Sequence, residues 1–194
     1  MKEIEKTIQN NDYLVLKNSI KTLMEQKELV LIFIDEIDTE RFSAGYIKTY
    51  SDNEILVLYV NPFGDYNGAA VKRIEDIIKI EYGGKYAKRV RKLNELQNEN
   101  INFECEESEN LFLSVLRYAQ EKKKIVSIEL LESGNEDVVG YVDFIEKDSL
   151  SVKLVNTYGE YDGNALMDIR DITHLICDSD EEKARDLLVT YHKK

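Results

Sequence analysis

The side chains that most often bind metals or act as nucleophiles are sparse in this chain of 194 residues. Its two cysteines, Cys105 and Cys177, stand 72 positions apart, and its two histidines, His174 and His192, stand 18 apart. Structural zinc sites use closely spaced pairs of such ligands, so this spacing predicts no metal site. Two isolated thiols favour a reducing compartment over a disulfide scaffold.

Other patterns that support catalysis are incomplete. The glycine-containing segments 64–68 and 159–163 resemble phosphate-binding loops, but neither continues into Lys-Ser/Thr and a helix. Glu75 and Asp76 are adjacent carboxylates that could serve in acid–base catalysis, although a salt-bridged strand end is the simpler interpretation. No Gly-x-Ser-x-Gly motif presents a serine nucleophile. We therefore expect no enzymatic activity, no catalytic residue and no cofactor.

Acidic residues outnumber basic ones by 38 to 26, which gives a net charge of −12. Residues 1–100 carry 15 basic and 17 acidic side chains (net −2), and residues 101–194 carry 11 and 21 (net −10). Because phosphate binding needs clustered Lys and Arg, this balance disfavours a nucleic-acid binder. The acidic second half suits a basic partner, as in an immunity-type protein that covers a basic toxin.

Hydropathy places the chain among ordinary globular proteins, with 43% hydrophobic and 33% charged residues. No run of about 18 apolar residues is present, so we expect no membrane-spanning segment. The charged N-terminus is not followed by an apolar segment, which argues against a secretory signal. The predicted location is therefore the cytoplasm.

The chain contains two similar halves, related by a shift of 95 residues. Residues 61–70 match residues 156–165 without a gap, and toward the N-terminus the shift becomes 96. Glycine, tyrosine and acidic positions recur together in these blocks. We therefore divide the chain into repeat one, residues 1–98, and repeat two, residues 99–194.

Each repeat is predicted to contain a helix, five short strands and a closing helix. The predicted strands cover residues 29–34, 45–50, 55–61, 69–75 and 77–82, and then 125–130, 140–145, 150–156, 164–170 and 172–177. Asn11 or Asp12 is expected to cap the first helix, and Ser108 the first helix of repeat two. In the closing helix of repeat two, spacing predicts a buried stripe of Ala184, Leu187, Leu188 and Tyr191.

Two segments of repeat two resemble the motifs of Sm-like proteins. Residues 140–142 followed by 150–154 resemble the first Sm motif, and residues 169–176 resemble the second. The resemblance implies a mostly β fold with helices: two tandem Sm-like or SH3-like bent barrels of five strands, each flanked by helices. It also implies an alternative function, an RNA-binding regulator. The chain is also similar to segments of small bacterial proteins, which implies no activity.

One face of the predicted strands differs between the repeats, whereas the opposite face is apolar in both and forms the predicted core. The differing face carries Leu31, Phe33, Leu56 and Leu58 in repeat one, and Ser127, Glu129, Ser151 and Lys153 in repeat two. Burying one Leu or Phe contributes roughly 1.5–3 kcal/mol, so we expect a helix, repeat two or a second chain to cover the four apolar side chains. The polar counterparts in repeat two are expected to face solvent.

The helix predicted over residues 85–97 begins with five basic residues and no acidic residue between them: Lys85, Lys88, Arg89, Arg91 and Lys92. A solvated helix face is the simpler interpretation, and an anion-docking patch is the functional one. In the RNA-binding alternative, this basic run would act together with residues 50–53. The leading prediction is a non-enzymatic protein-interaction module that associates with itself, as in a homodimer, through Leu31, Phe33, Leu56 and Leu58.

Overall fold

The computed structural model describes residues 15–35, 38–97, 103–106, 108–133 and 135–193. In this part of the chain, ten antiparallel strands form one sheet, and four α-helices accompany them. The prediction of a mostly β fold with helices is therefore confirmed. The predicted helix caps Asn11 and Asp12 lie outside the described residues.

Both repeats have the same order of elements. In repeat one, helix α1, described over residues 15–25, precedes β1 (Leu29–Phe33), β2 (Ser43–Tyr50), β3 (Glu54–Val60), β4 (Tyr66–Arg73), β5 (Lys79–Tyr82) and α2 (Lys85–Gln97). In repeat two, α3 (Leu111–Lys122) precedes β6 (Ile125–Leu130), β7 (Val138–Glu146), β8 (Ser149–Val155), β9 (Tyr161–Asp168), β10 (Ile172–Cys177) and α4 (Asp180–His192). A single 3₁₀ turn, Ile169–Asp171, joins β9 to β10.

The strands follow the order β5-β1-β2-β3-β4-β10-β6-β7-β8-β9 across the sheet. The last strand of each repeat pairs with its first, and the repeats meet where β4 pairs with β10. Equivalent glycines permit close strand approach in both repeats. A Cβ atom on Gly45 would lie 2.3 Å from the carbonyl oxygen of Leu58, and one on Gly140 would lie 2.1 Å from that of Lys153.

The predicted turns at 64–68 and 159–163 are shorter than expected. β4 begins at Tyr66 and β9 at Tyr161, because Tyr66 pairs with Val60 and Tyr161 with Val155. The Asn61 side chain forms the first turn by accepting the backbone N–H groups of Phe63 (2.9 Å) and Asp65 (3.1 Å). The turn residues are thus an asparagine and its neighbours, and the second glycine of each segment lies within a strand.

The predicted N-cap residue of α3, Ser108, lies two residues before the observed one. Asn110 caps α3, since its side chain accepts the backbone N–H of Leu113 at 2.8 Å. The hydroxyl of Ser108 instead lies 2.7 Å from that of Ser114. The prediction therefore identified the helix but assigned the wrong N-cap residue.

The predicted buried stripe of α4 is wrong. The structure exposes Leu187, Leu188 and Tyr191, and the helix buries Glu182 and Val189. Glu182 closes a capping box with Ser179 and also accepts a hydrogen bond from the Ser127 hydroxyl at 2.6 Å. Ser127 is therefore buried under α4, contrary to the expectation that it faces solvent, and Ser151 is buried as well.

Candidate functional site

We define the repeat junction as the place where β4 pairs with β10. Four antiparallel pairs connect the strands: His174 with Lys72, Leu175 with Val71, Ile176 with Ala70, and Cys177 with Ala69. Paired residues on neighbouring strands share a face of the sheet, so the outer face of repeat one continues into the core of repeat two. One apolar cluster accordingly contains side chains of both repeats, among them Leu56, Leu58, Val71, Leu175 and Cys177.

Helix α3 covers the repeat junction. Its apolar side chains share the cluster with Leu56 and Leu58, and the backbone N–H of Leu111 donates to the Glu54 carboxylate in repeat one. Its counterpart α1, at a shift of 96 residues, lacks this second buried face. Leu111 is 1% exposed, whereas the equivalent Val15 is 64% exposed. Helix α3 thus packs on its own repeat and on repeat one at the same time.

The four predicted interface residues are all buried, but they do not form one surface. Leu56 and Leu58 lie beneath α3, whereas Leu31 and Phe33 pack with Ala87 and Val90 of α2 in a separate cluster. The ammonium group of Lys79 lies 3.8 Å from the centre of the Phe33 ring, which further covers it. Helix α2 of repeat one therefore covers one part of this face, and α3 of repeat two covers the other. Binding of these four residues to another chain stays a prediction.

Polar groups are buried beside the apolar cluster of the repeat junction. The Tyr59 hydroxyl lies 3.2 Å from Nε2 of His174, and Nδ1 of His174 lies 3.8 Å from the Glu129 carboxylate. Burial lowers the pKa of the adjacent Lys72 ammonium group to about 7, and it lowers the pKa of His174 well below its ordinary value. The Lys72 side chain is only 1% exposed. A substrate cannot reach this amine, so the cluster is part of the packing between repeats.

The basic run occupies the first half of α2 and is partly neutralised. Arg91 pairs with Glu28 at 2.8 Å and with Glu95 at 3.2 Å, and Lys92 lies 3.7 Å from Glu95. Arg89 donates to the carbonyl oxygen of Pro62 at 3.3 Å. The exposed cations Lys85 and Lys88 stand nearest the start of the helix.

The structure does not bring the basic run together with residues 50–53. Tyr50 ends β2 and residues 51–53 form the turn before β3, whereas α2 contacts the turn after β3 through Arg89 and Gln97. A strand of seven residues separates the two turns, which is about 20 Å at a rise of roughly 3.3 Å per residue. The two segments that the RNA-binding alternative combines therefore contact opposite ends of β3.

Both repeats expose an apolar side chain at the turn after the third strand and another near the end of the closing helix. These are Phe63 and Leu96 in repeat one, and Tyr158 and Tyr191 in repeat two, at positions 95 apart. The same polar contact joins turn and helix. Gln97 donates to the carbonyl oxygen of Phe63 at 2.9 Å, and Nε2 of His192 lies 3.0 Å from that of Tyr158. We call these two regions the turn–helix surfaces. Neither is among the predicted sites, and Tyr191 belongs to the stripe that was predicted to be buried.

Neither a metal site nor a membrane-spanning helix is found in the described ranges. Within them, no group of three or more His, Cys, Asp and Glu side chains could hold a metal ion. None of the helices within these same ranges is long and apolar enough to cross a bilayer. No protein-family model matches the chain, and neither a curated protein nor a solved structure is significantly similar to it.

Proposed function

We propose that this chain is a non-enzymatic protein-interaction module made of two Sm-like barrels, with other copies of itself among its partners. The observation that carries the proposal is the presence of a turn–helix surface on each repeat. Within each repeat the strand order 5-1-2-3-4 and the preceding helix support the Sm-like assignment.

Comparing the two repeats distinguishes side chains that pack the monomer from side chains that are available for binding. On the strand face that differs between the repeats, buried positions have diverged, so Leu56 beneath α3 is matched by Ser151. At the turn–helix surfaces both repeats keep large apolar side chains although solvent surrounds them. An exposed aromatic side chain gains no burial energy within the monomer, whereas exposed apolar patches commonly mark binding sites. Two equivalent surfaces on one chain favour a bivalent module.

RNA binding is the second candidate, since Lys85 and Lys88 remain exposed at the start of α2. Two observations weigh against it. Arg91 and Lys92 already pair with acidic side chains of repeat one, and the whole chain carries a net charge of −12. Phosphate contacts would release counterions and produce a steep dependence of affinity on salt.

The test compares the wild-type chain with the double variant Phe63→Ser/Tyr158→Ser. Leu131→Ser is the matched control, because Leu131 is equally exposed but lies in the turn after β6 and has no apolar counterpart in repeat one. Affinity capture from the host is quantified by mass spectrometry. We expect a protein that the wild type and the control retain and the double variant loses.

Identical retention by all three chains would refute the turn–helix surfaces as binding sites. Fluorescence anisotropy with single-stranded RNA, measured over a range of salt concentrations, tests the second candidate. Tight binding that weakens steeply with salt, and that Lys88→Glu abolishes, would replace the proposed function by RNA binding.

A further inference from the structure

We propose that two copies of the chain form a symmetric dimer in which their α4 helices pack antiparallel, each through an exposed apolar stripe. The inference rests on the proposed function and specifies its self-association. The turn–helix surface of repeat two, which includes Tyr191 of α4, binds a second copy, whereas that of repeat one binds another protein.

The apolar stripe of α4 consists of Ala184, Leu187 and Tyr191. A spacing of three and four residues places these side chains on one side of the helix. All three are exposed, with Leu187 at 71% and Tyr191 at 72%, because the helix buries its other side through Glu182 and Val189. An apolar stripe in this position gains burial energy only when another chain covers it.

The stripe is specific to repeat two. Arg89 and Lys92 of α2 stand at the positions of Ala184 and Leu187, although both closing helices contact their turns through equivalent residues. Packing within a repeat therefore does not require an apolar stripe on the closing helix. Helix α2 also cannot replace α4 in a contact between copies, since two basic stripes repel each other.

The shape of α4 fits an inverted copy of the same helix. A two-fold axis between Ala184 and Leu187 brings nearly the whole length of both helices, 13 residues each, into contact. It places the small Ala184 of each copy opposite the larger Leu187 of the other, so the side chains of the two stripes can interdigitate. Because each copy contributes the same surface, the contact is isologous and closes at two copies.

Charge complementarity selects the antiparallel arrangement. The first turn of α4 is acidic and begins at Asp180, whereas the other end carries His192 and Lys193. In an antiparallel pair each acidic turn lies beside the basic end of the partner helix, and the helix dipoles point in opposite directions. The same axis sets Asp180 opposite Tyr191, whose hydroxyl can donate a hydrogen bond to the carboxylate. A parallel pair would instead bring the two acidic turns together.

The dimer is weak and reversible because the contact is small. A helix of 13 residues is about 20 Å long, and contacts that bury less than about 1,200 Å² in total are typical of transient complexes. We therefore expect a dissociation constant of roughly 10–100 μM. The chain is then mostly monomeric at low micromolar concentration and mostly dimeric at several hundred micromolar.

The first experiment measures mass by light scattering from about 1 to about 300 μM, a range that spans this dissociation constant. We expect the wild-type mass to rise with concentration and to level off toward that of two copies. Tyr191→Lys should weaken association at least about tenfold, because it places a charge in the stripe. The matched control Leu96→Lys changes the equivalent position of α2, where Leu96 is 66% exposed, and should leave the mass unchanged.

Charge exchange tests the direction of the helices. Asp180→Lys and Lys193→Glu should each weaken the dimer about three- to tenfold. The combined variant Asp180→Lys/Lys193→Glu should restore it, because the acidic and basic ends of α4 are then exchanged. The two residues lie at opposite ends of one helix, so restoration can arise only from a contact between two copies.

Cysteine pairs test the register. Asp180→Cys/Tyr191→Cys should form a disulfide-linked dimer on mild oxidation, because the two positions face each other across the contact. Within one helix they are about 16 Å apart, which is too far for a disulfide inside one copy. The matched control Lys85→Cys/Leu96→Cys, at the equivalent positions of α2, should not be cross-linked.

Three outcomes would overturn the α4 dimer. Association that Tyr191→Lys and the charge variants leave unchanged, with equal cross-linking of both cysteine pairs, would place the contact elsewhere and leave the self-association of the proposed function in place. A mass that rises beyond two copies would exclude a closed dimer. A wild-type chain that stays monomeric at every concentration would overturn both the dimer and the self-association, whereas capture of another protein through Phe63 and Tyr158 tests the rest of the proposed function separately.

Discussion

Replacing Lys72 by methionine tests the energetics of the repeat junction. Lys72 lies in β4, paired with Ile55 of β3 and His174 of β10, and it is almost completely buried. Repeat two already carries Met167 at the equivalent position. Lys72→Met therefore introduces a side chain of similar length that the other repeat accommodates in the same strand.

The expected magnitude follows from the pKa. Burial lowers the pKa of the Lys72 ammonium group from 10.5 to about 7. A shift of that size corresponds to about 4–5 kcal/mol of unfolding free energy lost at neutral pH, at roughly 1.4 kcal/mol per unit. Since replacement of a buried charge by an apolar side chain typically gains 1–4 kcal/mol, we expect Lys72→Met to stabilise the chain by about that amount at pH 7.

The pH dependence provides the sharper measurement. The native pKa of Lys72 lies below its unfolded value, so unfolding takes up a proton between pH 7 and 10.5 and stability rises with pH in that window. The rise between pH 7 and pH 9 is about 2 kcal/mol. Burial raises the pKa of Cys177 and acts in the opposite direction above about pH 8.5, but equally in both proteins.

Urea unfolding at pH 7, 8 and 9 measures these free energies for the wild type, Lys72→Met and the control Lys153→Met. Lys153 lies on β8 and is exposed, so its replacement should leave the pH dependence unchanged. The difference between wild type and Lys72→Met should shrink by about 2 kcal/mol from pH 7 to pH 9. A constant difference would show that Lys72 remains charged in the native state and would refute the reasoning.

Two other substitutions test the packing of the strands. Leu56→Ser places a hydroxyl and a cavity beneath α3, so we expect the free energy of unfolding to fall by about 3–4 kcal/mol; in urea unfolding, a loss below about 1 kcal/mol would contradict the burial of Leu56. Gly45→Ala brings a Cβ atom to within 2.3 Å of the Leu58 carbonyl oxygen, which should cost at least about 2 kcal/mol. Gly84→Ala is its control in thermal unfolding, because a Cβ atom there meets nothing within 4 Å.

The sequence predicted most of the secondary structure because local signals decide it. A continuous apolar run placed β1 within one residue of its observed end, and the recurrence at a shift of 95 residues predicted equivalent strands in both halves. The assignment of the closing helix failed for a physical reason. Spacing identifies an apolar stripe on α4 but does not show whether a core lies beneath it, and here Glu182 takes the buried position through its bonds to Ser127 and Ser179.

Local sequence patterns also do not show which element covers an apolar face. Leu31 and Leu56 belong to the same sequence pattern, yet α2 of the same repeat covers one and α3 of the other repeat covers the other. The choice depends on the pairing of β4 with β10, which joins residues about 100 positions apart. The second buried face of α3 nevertheless leaves one signal in the sequence, since Val115 is apolar where α1 has the polar Ser19.

The shared core predicts that the two repeats unfold together. Leu56, Leu58 and Val71 of repeat one lie in the same cluster as α3 and the strands of repeat two. At roughly 1.5–3 kcal/mol for each large side chain, separating the repeats costs at least about 5 kcal/mol, which equals much of the stability of an ordinary domain. Neither repeat can therefore persist after the other unfolds. Calorimetry should show one transition whose calorimetric and van't Hoff enthalpies agree. Two transitions would mean that each repeat has an independent core. Burial of Leu56, Leu58 and Val71 against repeat two would then contribute little to the stability of repeat two.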